Sequence, residues 1–235
     1  METPLWNGGP VLHRAPGVFP LGTDSIILSD FARPGTGDRI LDLGTGGGAL
    51  SVLLGWQRPD LHITALEMDP DACALAGRNL RDNGICANLL EADLRQYRSV
   101  LPAGGFDLIV SNPPYFDQNR GKVSAALAEA RSDRGCTLEE VCAAAAWAAR
   151  WGGRFCLVFR PERVAELFSA LGAAGFAVKR IRPVHHSPDK PVNLLLVEAR
   201  RGGNPGTVWE NDLYLHTADG CDTPEAARIY HREKE

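Results

Sequence analysis

Ile40-Leu41-Asp42-Leu43-Gly44-Thr45-Gly46-Gly47-Gly48-Ala49 decides the fold of this chain. An apolar run breaks at a glycine cluster and resumes as a helical pattern, which reads as strand, tight turn and helix. Glycines let the backbone turn sharply there and let a ligand approach it closely. Gly44-x-Gly46-x-x-Ala49 also fits a dinucleotide-binding turn, and Glu67, ending the next expected strand, suits ribose hydroxyls in either case. Charge separates the two. A dinucleotide lays a pyrophosphate over this turn, yet Asp42 stands two residues before the first glycine and no Lys or Arg occurs from Ile40 to Gln57. Asp42, Glu67 and Asp93 fall at the carboxyl ends of the first three strands, with the Asp24 segment as a fourth contributor. Such a collar repels itself unless a cation or hydrogen-bond donors compensate. A ligand with a sulfonium, an ammonium and ribose hydroxyls suits it, and S-adenosylmethionine is such a ligand. The expected cofactor contacts are Asp24, Asp42, Gly44, Thr45, Gly46, Gly48, Glu67, Met68, Asp93 and Leu94, with Asn112 joining them from the fourth strand. Asp93 also suits the cap of a short helix at Leu94–Arg98, and Asp24 the cap of the first helix.

Outward from this turn, short apolar runs alternate with helical patterns, the signature of a parallel α/β sheet. Strands are predicted at Arg39–Leu43, His62–Glu67, Ala87–Glu91, Phe106–Ser111, Arg154–Phe159, Phe176–Val184 and Asn193–Ala199. Helices are predicted from Thr23-Asp24 to before Pro34, over Ala49–Trp56, from Pro70 to an Asn83-Gly84 stop, over Leu138–Trp151 closed by Gly152-Gly153, and over Pro161–Ala173. No helix separates the last two strands, so they form an antiparallel hairpin at the sheet edge. Residues 1–38 are an N-terminal extension with the first helix. Residues 207–235 read as a short strand, an Asp219-Gly220 turn and a helix opened by Thr223-Pro224. The expectation is one domain over residues 1–235, with a seven-stranded, mostly parallel sheet carrying helices on both faces.

Composition agrees with a globular α/β chain: 235 residues, 44% hydrophobic and 23% charged, which excludes a disordered chain or a disulfide scaffold. No apolar run reaches the ~20 residues of a membrane span, and METPLWNGGP lacks the pattern of an export signal, so a cytoplasmic protein is expected. The six cysteines form no C-x-x-C pair and no zinc-spaced cluster, so no metal is expected. A net charge of −4 gives no general support to a nucleic-acid partner. Locally, Phe176–Arg201 holds Lys179, Arg180, Arg182, Lys190, Arg200 and Arg201 against Asp189 and Glu198, with His185 and His186 beside them. This suits either phosphate contacts or an ordinary charged sheet edge.

The second decisive motif follows the fourth strand: Ser111-Asn112-Pro113-Pro114-Tyr115-Phe116. Two prolines stop the strand and stiffen the turn. The Asn112 side chain and the Pro113 carbonyl then stand as acceptors at the carboxyl edge of the sheet. Tyr115 and Phe116 offer flat faces for a planar substrate, roughly 1–3 kcal/mol each, or Tyr115 covers the cofactor.

At this pairing the chain resembles the class I S-adenosylmethionine-dependent methyltransferases that modify planar amines or amides. Further segments narrow the likeness: Gly22-Thr23-Asp24-Ser25, Ala130-Arg131, Arg160-Pro161-Glu162-Arg163, Arg180-Ile181-Arg182-Pro183-Val184-His185 and Lys190-Pro191-Val192-Asn193. Together they resemble the bacterial tRNA(1)Val adenine-N6-methyltransferases over about Val18 to Tyr230, although Ser132 stands where that family commonly has His. The resemblance implies methylation of the adenine just 3′ of the anticodon. Asn112, Pro113, Pro114 and Tyr115 would be catalytic; Tyr115, Phe116, Arg131, Arg180, Arg182 and Lys190 would meet the tRNA anticodon loop. Release-factor-type glutamine methyltransferases share the Asn-Pro-Pro-Tyr logic but carry a helical domain before the glycine strand. DNA adenine methyltransferases normally add a target-recognition domain that has no counterpart here. A non-catalytic cofactor- or RNA-binding protein would not need Asn112 and Tyr115.

Overall fold

Strands that are apolar on both faces need helices on both sides, and this chain supplies them alternately. The computed structural model describes residues 4–18, 21–113 and 136–232. After α1 (Thr23–Ala32) come β1 (Arg39–Leu43), α2 (Ala49–Gln57), β2 (His62–Glu67), α3 (Pro70–Asp82) and β3 (Ala87–Glu91). A 3₁₀ turn at Leu94–Gln96 leads into α4 (Tyr97–Val100) and β4 (Phe106–Ser111). Then follow α5 (Leu138–Ala148), β5 (Ala149–Phe159), α6 (Val164–Ala173) and the long hairpin of β6 (Phe176–His185) and β7 (Val192–Arg201). The tail contributes β8 (Val208–Trp209), β9 (Leu213–Tyr214) and α7 (Pro224–Ile229).

The sheet runs β3-β2-β1-β4-β5-β7-β6-β8, with β9 also on β6. β1 to β5 are mutually parallel, and β7 is antiparallel to both β5 and β6. The strand order reverses between β1 and β4, and in open α/β sheets the ligand crevice lies outside the carboxyl ends at that switch point. Side chains alternate across the sheet. Leu41, Leu43, Ile109 and Leu157 join α5 and α6 in one apolar cluster; Ile40, Leu108, Val110, Cys156 and Val158 join α1, α2 and α7 in the other.

Three expectations are corrected. The helix expected over Leu138–Trp151 stops at Ala148, because Ala149 already pairs with Phe106. The register then jumps so that Leu108 faces Arg154, and Gly152 (φ 76°) serves this bulge instead of a helix end. The tail forms two short strands, not one. Both add to β6, which brings the sheet to nine strands in place of seven.

Candidate active site

The glycine turn is built so that few of its amides remain to hold a phosphate. Gly44 and Thr45 both donate to the Leu66 carbonyl (2.9 and 3.0 Å), Gly48 donates to Thr45 (3.0 Å), and Gly46 donates to Glu67 Oε2 (2.8 Å). An anion needs such donors unspent, so the geometry agrees with the exclusion of a pyrophosphate on charge. At Gly46 (φ 56°) a Cβ would meet nothing within 4 Å, which leaves an open cradle above the turn. At Gly48 (φ 81°) a Cβ would come within 3.0 Å of the Ala76 backbone, so only glycine lets α2 and α3 approach there.

Glu67 ends β2 as expected. Its Oε1 takes the Met68 and Asp69 amides (both 2.9 Å) and its Oε2 the Gly46 amide, so three backbone N–H groups fix the carboxylate beside the cradle. A carboxylate fixed there has the chemistry to accept from ribose hydroxyls such as those of S-adenosylmethionine.

The rest of the expected acidic collar is rearranged. Asp42 is only 1% exposed, beneath the turn, where its Oδ2 accepts from Thr45 Oγ1 (2.6 Å) and Ser51 Oγ (2.7 Å). Burial pushes its carboxyl up to about 6 against the pull of those hydroxyls, and nearby Glu67 adds to the rise. Asp42 therefore shapes the turn from below. Asp93 caps the 3₁₀ turn through the Arg95 amide (2.8 Å), and the Arg95 guanidinium holds its carboxyl below the usual range. The collar thus contains a base that the strand ends do not reveal. Leu94 is buried in the apolar cluster with Leu66 and Val141. Asp24 lies in the first turn of α1, where Gly22 occupies the cap and no side-chain cap bond forms. The expected Asp24 cap is absent, and its charge instead favours the helix dipole.

Asn112 leaves β4 in the crevice. Asp42 is opposite Val110 in the sheet register, and Ser111 Oγ donates to the Leu43 carbonyl (2.8 Å), which ties the end of β4 to the start of the glycine turn. The Asn112 amide nitrogen donates to Ser25 Oγ (3.1 Å). Pro113 is buried behind it. Pro114, Tyr115, Phe116 and Arg131 lie outside the described residues.

The basic stretch is corrected in part. Arg180 donates to Glu198 (2.7 Å) and Glu210 (2.8 Å) and lies 4.3 Å over the Phe31 ring. Arg182, 7% exposed, donates to Glu225 (2.8 Å) and to the Asn211 carbonyl (3.1 Å). Both guanidiniums clamp the tail onto β6, because a fork with several donors reaches acceptors on two segments at once, which a single ammonium does less well. Lys190 differs: it sits in the hairpin turn at the carboxyl edge of the sheet with its ammonium largely exposed, 3.4 Å from Asp189.

Sequence reasoning missed Asn79. This buried side chain accepts from the His13 amide (2.7 Å) and donates to the Gly47 carbonyl (2.7 Å), joining the N-terminal extension to the cofactor turn. One turn on, Asn83 exchanges the same pair of bonds with Val11 (2.8 and 2.7 Å). Two asparagines four apart on one helix face are the signal that could have found it. Among the described residues no group of three metal-ligating side chains occurs, and no helix is long and apolar enough to cross a membrane.

Residues 12–164 match the family model of the methyltransferase small domain. A tRNA1(Val) (adenine(37)-N6)-methyltransferase of Tolumonas auensis is 30% identical over 208 residues, covering 87% of this chain and 85% of the relative. One of the same name from a Flavobacteriaceae bacterium is 31% identical over 60% of this chain and 59% of its own length. Among solved structures, a predicted O-methyltransferase of Agrobacterium tumefaciens superposes with a TM-score of 0.75 at 23% identity, covering 91% of this chain and 98% of that one. A T. thermophilus 16S rRNA N2 G1207 methyltransferase, in complex with AdoMet and guanosine, superposes at 0.60 with 24% identity, over 86% of this chain and 50% of that one. At these identities the two structures speak for the fold alone.

Proposed function

The chain belongs to the tRNA1(Val) (adenine-N6)-methyltransferase family of small-domain methyltransferases and is an S-adenosylmethionine-dependent enzyme; on that premise we propose that it methylates N6 of an adenine in tRNA, the base 3′ of the anticodon. We propose further that residues 1–235 act as one catalytic domain, in the cytoplasm. The single observation that carries the reading is the Asn112 carboxamide, anchored through its nitrogen at the end of β4 beside the glycine turn.

An exocyclic adenine amine is a poor nucleophile because its lone pair is delocalised into the ring. With Asn112 bound to Ser25 through its nitrogen, its Oδ1 is left to accept one N–H of the substrate amine, and the Pro113 carbonyl to accept the other. Held this way, the amine nitrogen moves toward tetrahedral geometry and directs its lone pair along one line. Orientation and preorganised acceptors of this kind supply several kcal/mol. The cofactor supplies an electrophilic methyl group on a sulfonium. No strong base is needed, since the amine proton becomes acidic once nitrogen carries the new methyl. Tyr115 and Phe116 would stack on the base, which leaves its own stack most cheaply in a loop.

The test offers labelled cofactor to total tRNA, total protein and duplex DNA, with mass spectrometry of the labelled product. N6-methyladenosine in tRNA is expected; label on protein glutamine or in DNA would replace this substrate assignment with the corresponding one. Asn112→Ala should keep cofactor affinity by calorimetry and lose about 10²–10³-fold in transfer rate. A full rate would remove Asn112 from the chemistry.

A further inference from the structure

A carboxamide has two ends of nearly equal shape and opposite polarity. Only the oxygen end can accept a hydrogen from a substrate amine; the nitrogen end would set donor against donor. Asn112 follows a strand and precedes prolines, so its own segment cannot supply a neighbouring amide to hold the side chain. The partner comes from far away in sequence. Ser25 lies in the first turn of α1 and is 7% exposed, and its hydroxyl is 3.1 Å from the Asn112 nitrogen. A helical serine commonly turns its hydroxyl back on its own helix, as Ser29 does to the Ile26 carbonyl (2.8 Å). Ser25 instead reaches across to the next element. The helix that carries it is seated by Ile27, Leu28 and Phe31 in the same apolar cluster as Leu108 and Val110 of β4, the strand that ends in Asn112. The two side chains are therefore fixed relative to each other by the core.

We propose that Ser25 is a positioning residue for methyl transfer: it binds the nitrogen end of the Asn112 carboxamide and so presents the oxygen end to the substrate amine. The proposal rests on the reading of Asn112 as the acceptor of that amine. Without the hydroxyl, the nitrogen end loses its buried partner and the amide plane is free to rotate. Cofactor contacts at the glycine turn are untouched.

The test measures kcat and KM for tRNA, cofactor affinity by calorimetry and melting temperature for Ser25→Ala, Ser25→Cys, Ser25→Thr, Asn112→Ala and the Ser25→Ala/Asn112→Ala double variant. Ser25→Ala should lower kcat by about tenfold or more, with KM and cofactor affinity little changed and the melting temperature lowered only by the loss of one hydrogen bond. Ser25→Cys keeps the volume with a weak acceptor and should fall with it, whereas Ser25→Thr keeps the hydroxyl and should restore most of the rate. In the Asn112→Ala background the Ser25→Ala change should add nothing, because the group it acts through is gone. A kcat within about twofold of the parent in both Ser25→Ala and Ser25→Cys, or a loss that adds in full to that of Asn112→Ala, overturns the proposal. Failure of the underlying reading shows separately, as full activity of Asn112→Ala alone.

Discussion

Asp42 shows how one residue type can be right and its role different. In the unfolded chain its carboxyl returns to the ordinary range, while in the fold burial raises it to about 6. The folded state thus binds this proton more tightly. Stability from this group is greatest at low pH, declines as pH rises through that interval, and is lost in full above about pH 6. Asp42→Asn removes the buried charge and keeps an oxygen for Thr45 and Ser51. It should melt above the parent at about pH 8, by up to about 3 kcal/mol, and converge with it near about pH 4. Calorimetric melting at the two values decides this; a gap of equal size at both would assign the effect to packing. Asp42→Ala, which abandons both hydroxyls, should weaken cofactor binding as the turn relaxes.

At the scale of elements, α3 holds more than its amphipathic pattern suggests. Asn79 and Asn83 each take an N–H and offer one in return, so the extension at Val11 and His13 lies along the helix as a strand lies along its partner. Asn79→Ala leaves the His13 amide and the Gly47 carbonyl without this partner, at about 1–3 kcal/mol. It should also weaken cofactor affinity, both readable in one calorimetric series; unchanged affinity would separate the strap from the turn. At the other edge, Glu198 is held by Arg180 and Arg154 (2.7 and 3.5 Å) and also receives the Cys156 thiol. Glu198→Ala removes a carboxylate that Arg180 and Arg154 share, while Arg180 keeps Glu210 and Arg154 keeps Asp38, so denaturant unfolding should show a loss of about 1–3 kcal/mol.

For the whole molecule, charge is turned inward more than the basic stretch suggests. Arg180 and Arg182 are held by carboxylates of the chain, and Lys179, Arg200 and Arg201 each donate to a backbone carbonyl, whereas Lys190, among the described residues, pairs only with its neighbour Asp189 and stays largely exposed at the carboxyl edge of the sheet. Binding of tRNA should therefore release few counterions from this hairpin. Lys190→Ala should lower the salt slope by about one, while Arg200→Ala leaves it unchanged, by titrations across a salt series. Equal effects would mean that the clamped side chains swing out to the backbone. Strand and helix order was legible from sequence because apolar periodicity and glycine or proline punctuation act over a few residues. The Leu138–Trp151 stretch was misread because its alanines carry no strand signal, and only pairing with Phe106 ends that helix. The sequence by itself determined the α/β alternation, the acidic glycine turn and the end of β4 at Asn112-Pro113, since each depends on neighbours in the chain. Tertiary structure alone decided that Asp42 lies beneath the turn, that Ser25 meets Asn112, and that Arg180 and Arg182 clamp the tail. A side chain's partner depends on which distant segments the folded core brings within hydrogen-bond reach, and no local pattern encodes that distance.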